Sequence, residues 1–193
     1  MRLTVVQSSA YTPMADDSTL TPTGELSPPL PTISVVNSLL QRAFHERRTD
    51  MTRVKMQKML FFLHGWHLAI TGTPCIDRAF NVWKYGPVVP SVYHRLRPFR
   101  GGPITGYLMD YDPVCESFKS PVVPESQHQF YEILDLTWEK YIEIDAARLS
   151  TMSHSPDSPW ATALNNGSRI IGSDTIQAYF IGLARSARPT CNP

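Results

Sequence analysis

His64 and His67 stand three residues apart, the spacing at which two helical side chains share a face and can grip one metal ion. Such a site needs further ligands, and the nearest carboxylates in sequence, Asp50 and Asp77, do not complete an H-E-x-x-H arrangement. With Phe62 and Trp66 as neighbours, the pair reads as core or rim histidines hydrogen-bonded locally, so neither a metal nor a cofactor is expected. Ser150-Thr151-Met152-Ser153-His154 with Asp157 holds every residue type of a hydrolytic triad. A triad is assembled from separated elements, and no G-x-S-x-G elbow is present to expose a serine. The segment reads instead as a rigid loop: Pro156 and Pro159 restrict it, Asp157 caps the following helix and Trp160 anchors that helix in the core. Cys75 has no activating neighbour in sequence, and Gly101-Gly102-Pro103 is a turn rather than a phosphate cradle. No catalytic residue is assigned.

Lys55, Gln57 and Lys58 place polar groups at the start of an otherwise apolar run, and two accounts stay open. Their stems can cover the rim of the core while their heads reach water. Alternatively, they edge a groove together with Trp83, Lys84 and Tyr85, a mixture of aromatic and basic groups typical of binding hot spots. Glu132, Asp135, Glu139 and Glu143 recur at helical spacing and form a solvated face, or a docking face for a basic partner.

These residues must be positioned by their elements. Met56–Ile70 is apolar almost all round, as long as an ordinary helix, and bounded by Asp50 or Thr52 before it and Gly72 after it. Such a helix has to be enclosed by others. Val35, Leu39, Leu40 and Phe44 mark an earlier helix starting at Ser34; Phe130, Ile133, Leu134, Trp138 and Tyr141 mark a later one over 127–142. Asp145 caps a short helix, Pro159 opens another, and Ser173 or Asp174 begins the last, which runs to Ala187. Residues 79–85 suit a strand, Pro90 opens a short helix, and 98–124 is loop with one more strand. The expected fold is α+β and predominantly helical: a central buried helix surrounded by helices, with a small antiparallel β element. Ser, Thr and Pro dominate residues 1–32, which reads as a disordered tail; the domain spans 33–187, and 188–193 is a flexible C-terminus.

Eighteen basic residues against seventeen acidic ones leave a net charge of +1, which gives no footprint for nucleic acid. Three scattered cysteines, Cys75, Cys115 and Cys191, make no disulfide framework and point to a reducing, cytoplasmic compartment. The longest apolar run is interrupted by two histidines and a glycine, so no membrane span is expected.

Three blocks resemble the Panacea domain, a family of SocA-like antitoxins and phage-associated proteins. Thr52 to Ala69 carries its T-x-L-K-L-Q-K-L-L-Y-F-x-Q-G-W-H-L-A pattern, Val82 to Val88 its A-W-K-Y-G-P-V, and Leu149 to His154 with Pro159-Trp160 its L-S-x-x-T-H and P-W. Departures are Val54, Met56 and Met59 for leucine, His64 for glutamine, Val82 for alanine and Ser153 for threonine. The resemblance implies a non-enzymatic protein that neutralises a cognate toxin by direct binding, or an adaptor delivering a client to an AAA+ protease. On that footing Lys55, Lys58, Trp83, Lys84, Tyr85 and His154 are the expected partner-binding residues. Leu60, Trp66, Gly86, Pro87 and Trp160 are the expected structural core, and the loop over 98–124 or a terminal segment is expected to supply specificity.

Overall fold

The computed structural model describes residues 27–187; residues 1–26 of the tail expected over 1–32, and the C-terminus expected over 188–193, lie outside the described residues. Leu30, within the stretch read as tail, is fully buried, and its backbone bonds Cys75 and Asp77. The elements run α1 (Thr32–His45), α2 (Arg53–Thr71), β1 (Phe80–Trp83), β2 (Gly86–Val88), α3 (Pro90–Arg95), β3 (Asp110–Asp112), β4 (Ser117–Lys119), α4 (His128–Tyr141), α5 (Ala146–Ser153), α6 (Pro159–Asn165), β5 (Ile170–Ile171) and α7 (Ser173–Ser186).

Both ends of α2 follow from local chemistry. The Thr52 hydroxyl accepts the Lys55 N–H, and Gly72 closes the helix in the left-handed conformation at φ 77°. Between them, every residue from Lys55 to Gly65 is buried, and the helix contacts α1, α3, α4, α5, α7 and β2. The fold is α+β and predominantly helical, with α2 as its enclosed rod. An aromatic seam joins three of the helices: Phe62 stacks on Tyr141 of α4 at 4.3 Å, and Phe180 of α7 sets its edge against Phe61, Phe62 and Trp66. Trp66 donates its indole N–H to the Tyr141 hydroxyl at 3.0 Å, satisfying the polar ends of both rings.

The sheet is antiparallel, in the order β2-β1-β5, with Trp83 opposite Gly86 and Phe80 opposite Ile171. Pro87 sits on the edge strand β2, where its missing N–H removes no ladder bond. The stretch 98–124 holds a two-stranded hairpin, one strand more than expected. Its short strands alternate Tyr111 and Phe118 with polar or charged residues, too brief a pattern to read alone, and the two rings pair across it at 5.5 Å. Buried Asn37 of α1 holds the loop's feet, donating to the Leu108 and Pro121 carbonyls and accepting from the Leu108 N–H, each at 2.8 Å. Ser38 adds a bond to the Val123 N–H.

The helix after 158 is capped by Ser158, not by the expected Asp157; its hydroxyl accepts the Ala161 N–H, because Pro159 takes the first helical position. Likewise Gly172 precedes α7, and Thr32 rather than Ser34 opens α1. In the acidic row, Asp135 pairs with Arg42 and Glu143 with Arg48, so these carboxylates serve the fold. Among the described residues no helix is long and apolar enough to cross a membrane.

His64 and His67 are both buried. His67 Nδ1 meets the Thr73 carbonyl at 2.9 Å, whereas His64 Nδ1 has no partner among the described residues. Burial, reinforced by His67, pushes the His64 imidazole down to about 4 from 6.5. The native state therefore excludes a proton that the unfolded chain accepts, so stability falls as pH drops from 6.5 towards 4. Between pH 7 and pH 5 the expected loss from this group is about 2 kcal/mol. Urea unfolding of the parent and of His64→Gln at both pH values checks it; an equal loss in the two proteins would exclude His64 as the source.

Candidate partner-binding groove

The Lys84-Tyr85 turn joining β1 to β2 is held by side chains from three directions. Lys58 of α2 donates to the Tyr85 carbonyl at 2.6 Å and to the Pro87 carbonyl at 3.3 Å. Gln57, one residue earlier, clamps Val89 through its backbone N–H at 2.9 Å and its carbonyl at 3.4 Å. From α5 the Ser150 hydroxyl donates to the Tyr85 carbonyl, and from α6 the Trp160 indole donates to the Trp83 carbonyl at 2.9 Å. The three sequence blocks thus converge on one turn. Gly86 completes it at φ +100°; a Cβ there would collide with Lys58 Nζ and approach Ser153 Oγ to 2.8 Å.

So braced, the turn presents Tyr85 at 68% exposure and Lys84 beside it. Two concavities meet beneath Tyr85 and Val54. One, about 420 Å³, lies between the start of α2, the turn and Tyr93 of α3. The other, about 660 Å³, runs along α5 past Ala146, Ala147 and Thr151 to His154. Together they form a mainly apolar groove. Trp83 sets its ring against Tyr93 at 4.8 Å, and the Arg53 guanidinium lies 4.3 Å over the other partner's ring, Tyr93.

Of the expected partner-binding residues, Lys58, Trp83, Lys84, Tyr85 and His154 line this groove. Lys55 does not. Its ammonium is buried and bonded to the Asp50 carboxylate and the Ile142 carbonyl, tying the start of α2 to the end of α4. Neither lysine snorkels to solvent: both are 1% exposed. Lys58 differs from Lys55 in facing carbonyls with no carboxylate beside it, and burial pulls it down to about 7. The Arg48 guanidinium, bonded to Asp50, holds that carboxyl well below the usual range against the effect of burial, and Lys55 adds to it. Of the expected core, Leu60 is fully buried, Gly86 and Pro87 are buried in β2, and Trp66 and Trp160 are half-buried.

Sequence patterns missed Arg53, Val54, Tyr93, Ala146 and Ala147, which line the groove from separate helices. Only the adjacency of Arg53 and Val54 to the Lys55-Gln57-Lys58 group offered a signal. In the serine-rich loop, His154 Nδ1 bonds the Ser150 carbonyl rather than a serine hydroxyl, and its ring packs 4.2 Å from Trp160. The Ser153 hydroxyl is buried and also turned to the Ser150 carbonyl.

Comparison with known proteins follows the same residues. The profile of the family described as "Antitoxin SocA-like, Panacea domain" matches residues 56–161, from within α2 through the turn to the Trp160 helix. Antitoxin SocA of Caulobacter vibrioides (strain NA1000 / CB15N) is 26% identical over 139 residues, covering 72% of this chain and 73% of that protein. No solved structure matches. With its three blocks gathered around one braced turn and more than half its length matched, this chain belongs to the SocA-like antitoxin, Panacea domain family.

Proposed function

We propose that this chain is an antitoxin that neutralises a toxin protein in the cytoplasm by binding it directly, with the groove around Trp83 and Tyr85 as the contact surface. The observation that carries this is the concentration of buried polar ties on a turn whose own side chains are left exposed. Lys58, Ser150 and Trp160 spend hydrogen bonds on the backbone of the turn and its flank, and Gln57 on Val89 just beyond β2, which fixes the Tyr85 backbone above an apolar groove. Rigid aromatic anchors of this kind lose little entropy on association and dominate interface energetics. Met109, Tyr111, Val114 and Phe118 are also exposed on the β3–β4 hairpin, which Arg95 of α3 ties down through Met109 and Asp110. Exposed apolar clusters mark interaction surfaces, and this one suits a secondary, specificity-setting contact.

Co-expression with the product of the adjacent open reading frame tests the role. The parent chain should restore growth against a toxic neighbour and co-purify with it, whereas Tyr85→Ala should weaken binding about 30-fold or more and fail to protect. Tyr85 is exposed, so its thermal stability should hold. A toxic neighbour that the parent neither binds nor counters would overturn the role. Toxin half-life under co-expression then separates occlusion, which leaves it unchanged, from delivery to an AAA+ protease, which shortens it.

A further inference from the structure

The groove's charge is one-sided. Arg53, Lys58 and Lys84 line it, and among the described residues no aspartate or glutamate does. In two other concavities the lining cation is matched: Arg42 by Asp135 between α1 and α4, Arg95 by Asp110 beside α3. Among the described residues, no ion pair engages Arg53, Lys58 or Lys84. Two of the three are also short of acceptors. Among the described residues, Arg53 Nε is buried with no hydrogen-bond partner, and the buried Lys58 ammonium has two carbonyls for three N–H donors. The lowered Lys58 pKa, set by burial, is that of an ammonium lacking its counter-ion.

We propose that the groove receives a short protein segment in which a carboxylate side chain stands beside a large apolar one, the carboxylate taken up by Arg53, Lys58 and Lys84 and the apolar group by the Trp83–Tyr93 wall. This rests on the binding role argued above and adds the chemistry of what is bound. A carboxylate supplies the missing anion and accepts the idle N–H groups, in a site where apolar walls strengthen the attraction. An apolar residue beside it covers Val54, Val88 and Trp83. Nucleic acid fits poorly: its polyanionic backbone calls for an extended basic surface, and here the cations are confined to one recess of about 420 Å³ in a chain of net charge +1.

The test is selection of random dodecapeptides displayed on phage against the full chain, followed by fluorescence anisotropy with synthetic copies of the peptides recovered. The expected consensus has Asp or Glu within about three residues of Phe, Trp, Leu or Ile. Replacing that acid by its amide should raise Kd about tenfold or more, and Trp83→Ala should abolish binding. In Lys84→Gln and in Arg53→Gln the acid-to-amide change should cost markedly less, because its partner is already gone. These variants spare the Lys58 tether, so folding does not confuse the result. No recovered binder, a consensus without an acid, an amide change of less than about twofold, or tighter binding of single-stranded DNA at the same residues overturns the proposal. Failure here leaves the antitoxin role standing if Tyr85→Ala still ends protection; failure of protection by the parent chain removes the role whatever peptides bind.

Discussion

Gly65→Ala is expected to cost about 3 kcal/mol of stability, although alanine is the better helix former. The intrinsic gain on replacing a mid-helix glycine is about 1 kcal/mol. Against it stands the Phe180 ring, because a Cβ built on Gly65 falls within the space of Phe180 Cε2, Cδ2 and Cζ. An overlap of that depth is not relieved by shifts of tenths of an ångström. Phe180 is fully buried, with Phe61, Phe62, Trp66 and Tyr179 around its edges, so it has nowhere to retreat. Overpacking typically costs 1–3 kcal/mol, and expelling a buried phenylalanine about 3–5. The steric effect therefore outweighs propensity. Urea unfolding should show the loss, and adding Phe180→Leu should return part of it. A Gly65→Ala protein as stable as the parent would mean that α2 and α7 are not in contact there.

The second large effect concerns Lys55 and is asymmetric. Asp50→Asn leaves a buried ammonium with the Ile142 carbonyl but no anion, and should cost about 2 kcal/mol, less than breaking a wholly buried pair because the Asp50 side chain is 45% exposed. Lys55→Met removes the buried charge altogether. What it abandons is the Ile142 carbonyl, while Asp50 keeps Arg48, so the expected loss is about 1–2 kcal/mol. The double variant should sit close to Lys55→Met alone. A double-mutant cycle by urea denaturation reads this directly, and strictly additive losses would show that the pair does not interact. Since Arg53 and Val54 directly precede Lys55, Asp50→Asn should loosen the groove wall as well.

The central helix was legible because its cause is local. A contiguous apolar run between Thr52 and Gly72 permits few other outcomes, and the caps fall at those residues. The family blocks were legible for a related reason: each is a short string with its own turn or helix chemistry. Destinations of the buried polar side chains were not. On a helix buried on every side, Lys55, Gln57 and Lys58 have no periodicity to show which neighbour they face, and the carbonyls they bond are 27 to 87 residues away. Arg53, Tyr93 and Ala146 share one groove only because α2, α3 and α5 meet, a fact held in no single window of sequence. Asp157 and Ser158 are both good caps, and the choice turned on Pro159.

Asn37 gives the hairpin loop an unusual independence. Its amide grips Leu108 and Pro121, so the strands between them stand outside a closed knot tied to α1, with Arg95 of α3 bonding Met109 and Asp110 at their base. A segment fastened at both feet can be rewritten, lengthened or exchanged between relatives without sending strain into the body below. Such a chassis with a replaceable cartridge tolerates change in about a dozen residues while the body beneath keeps its packing.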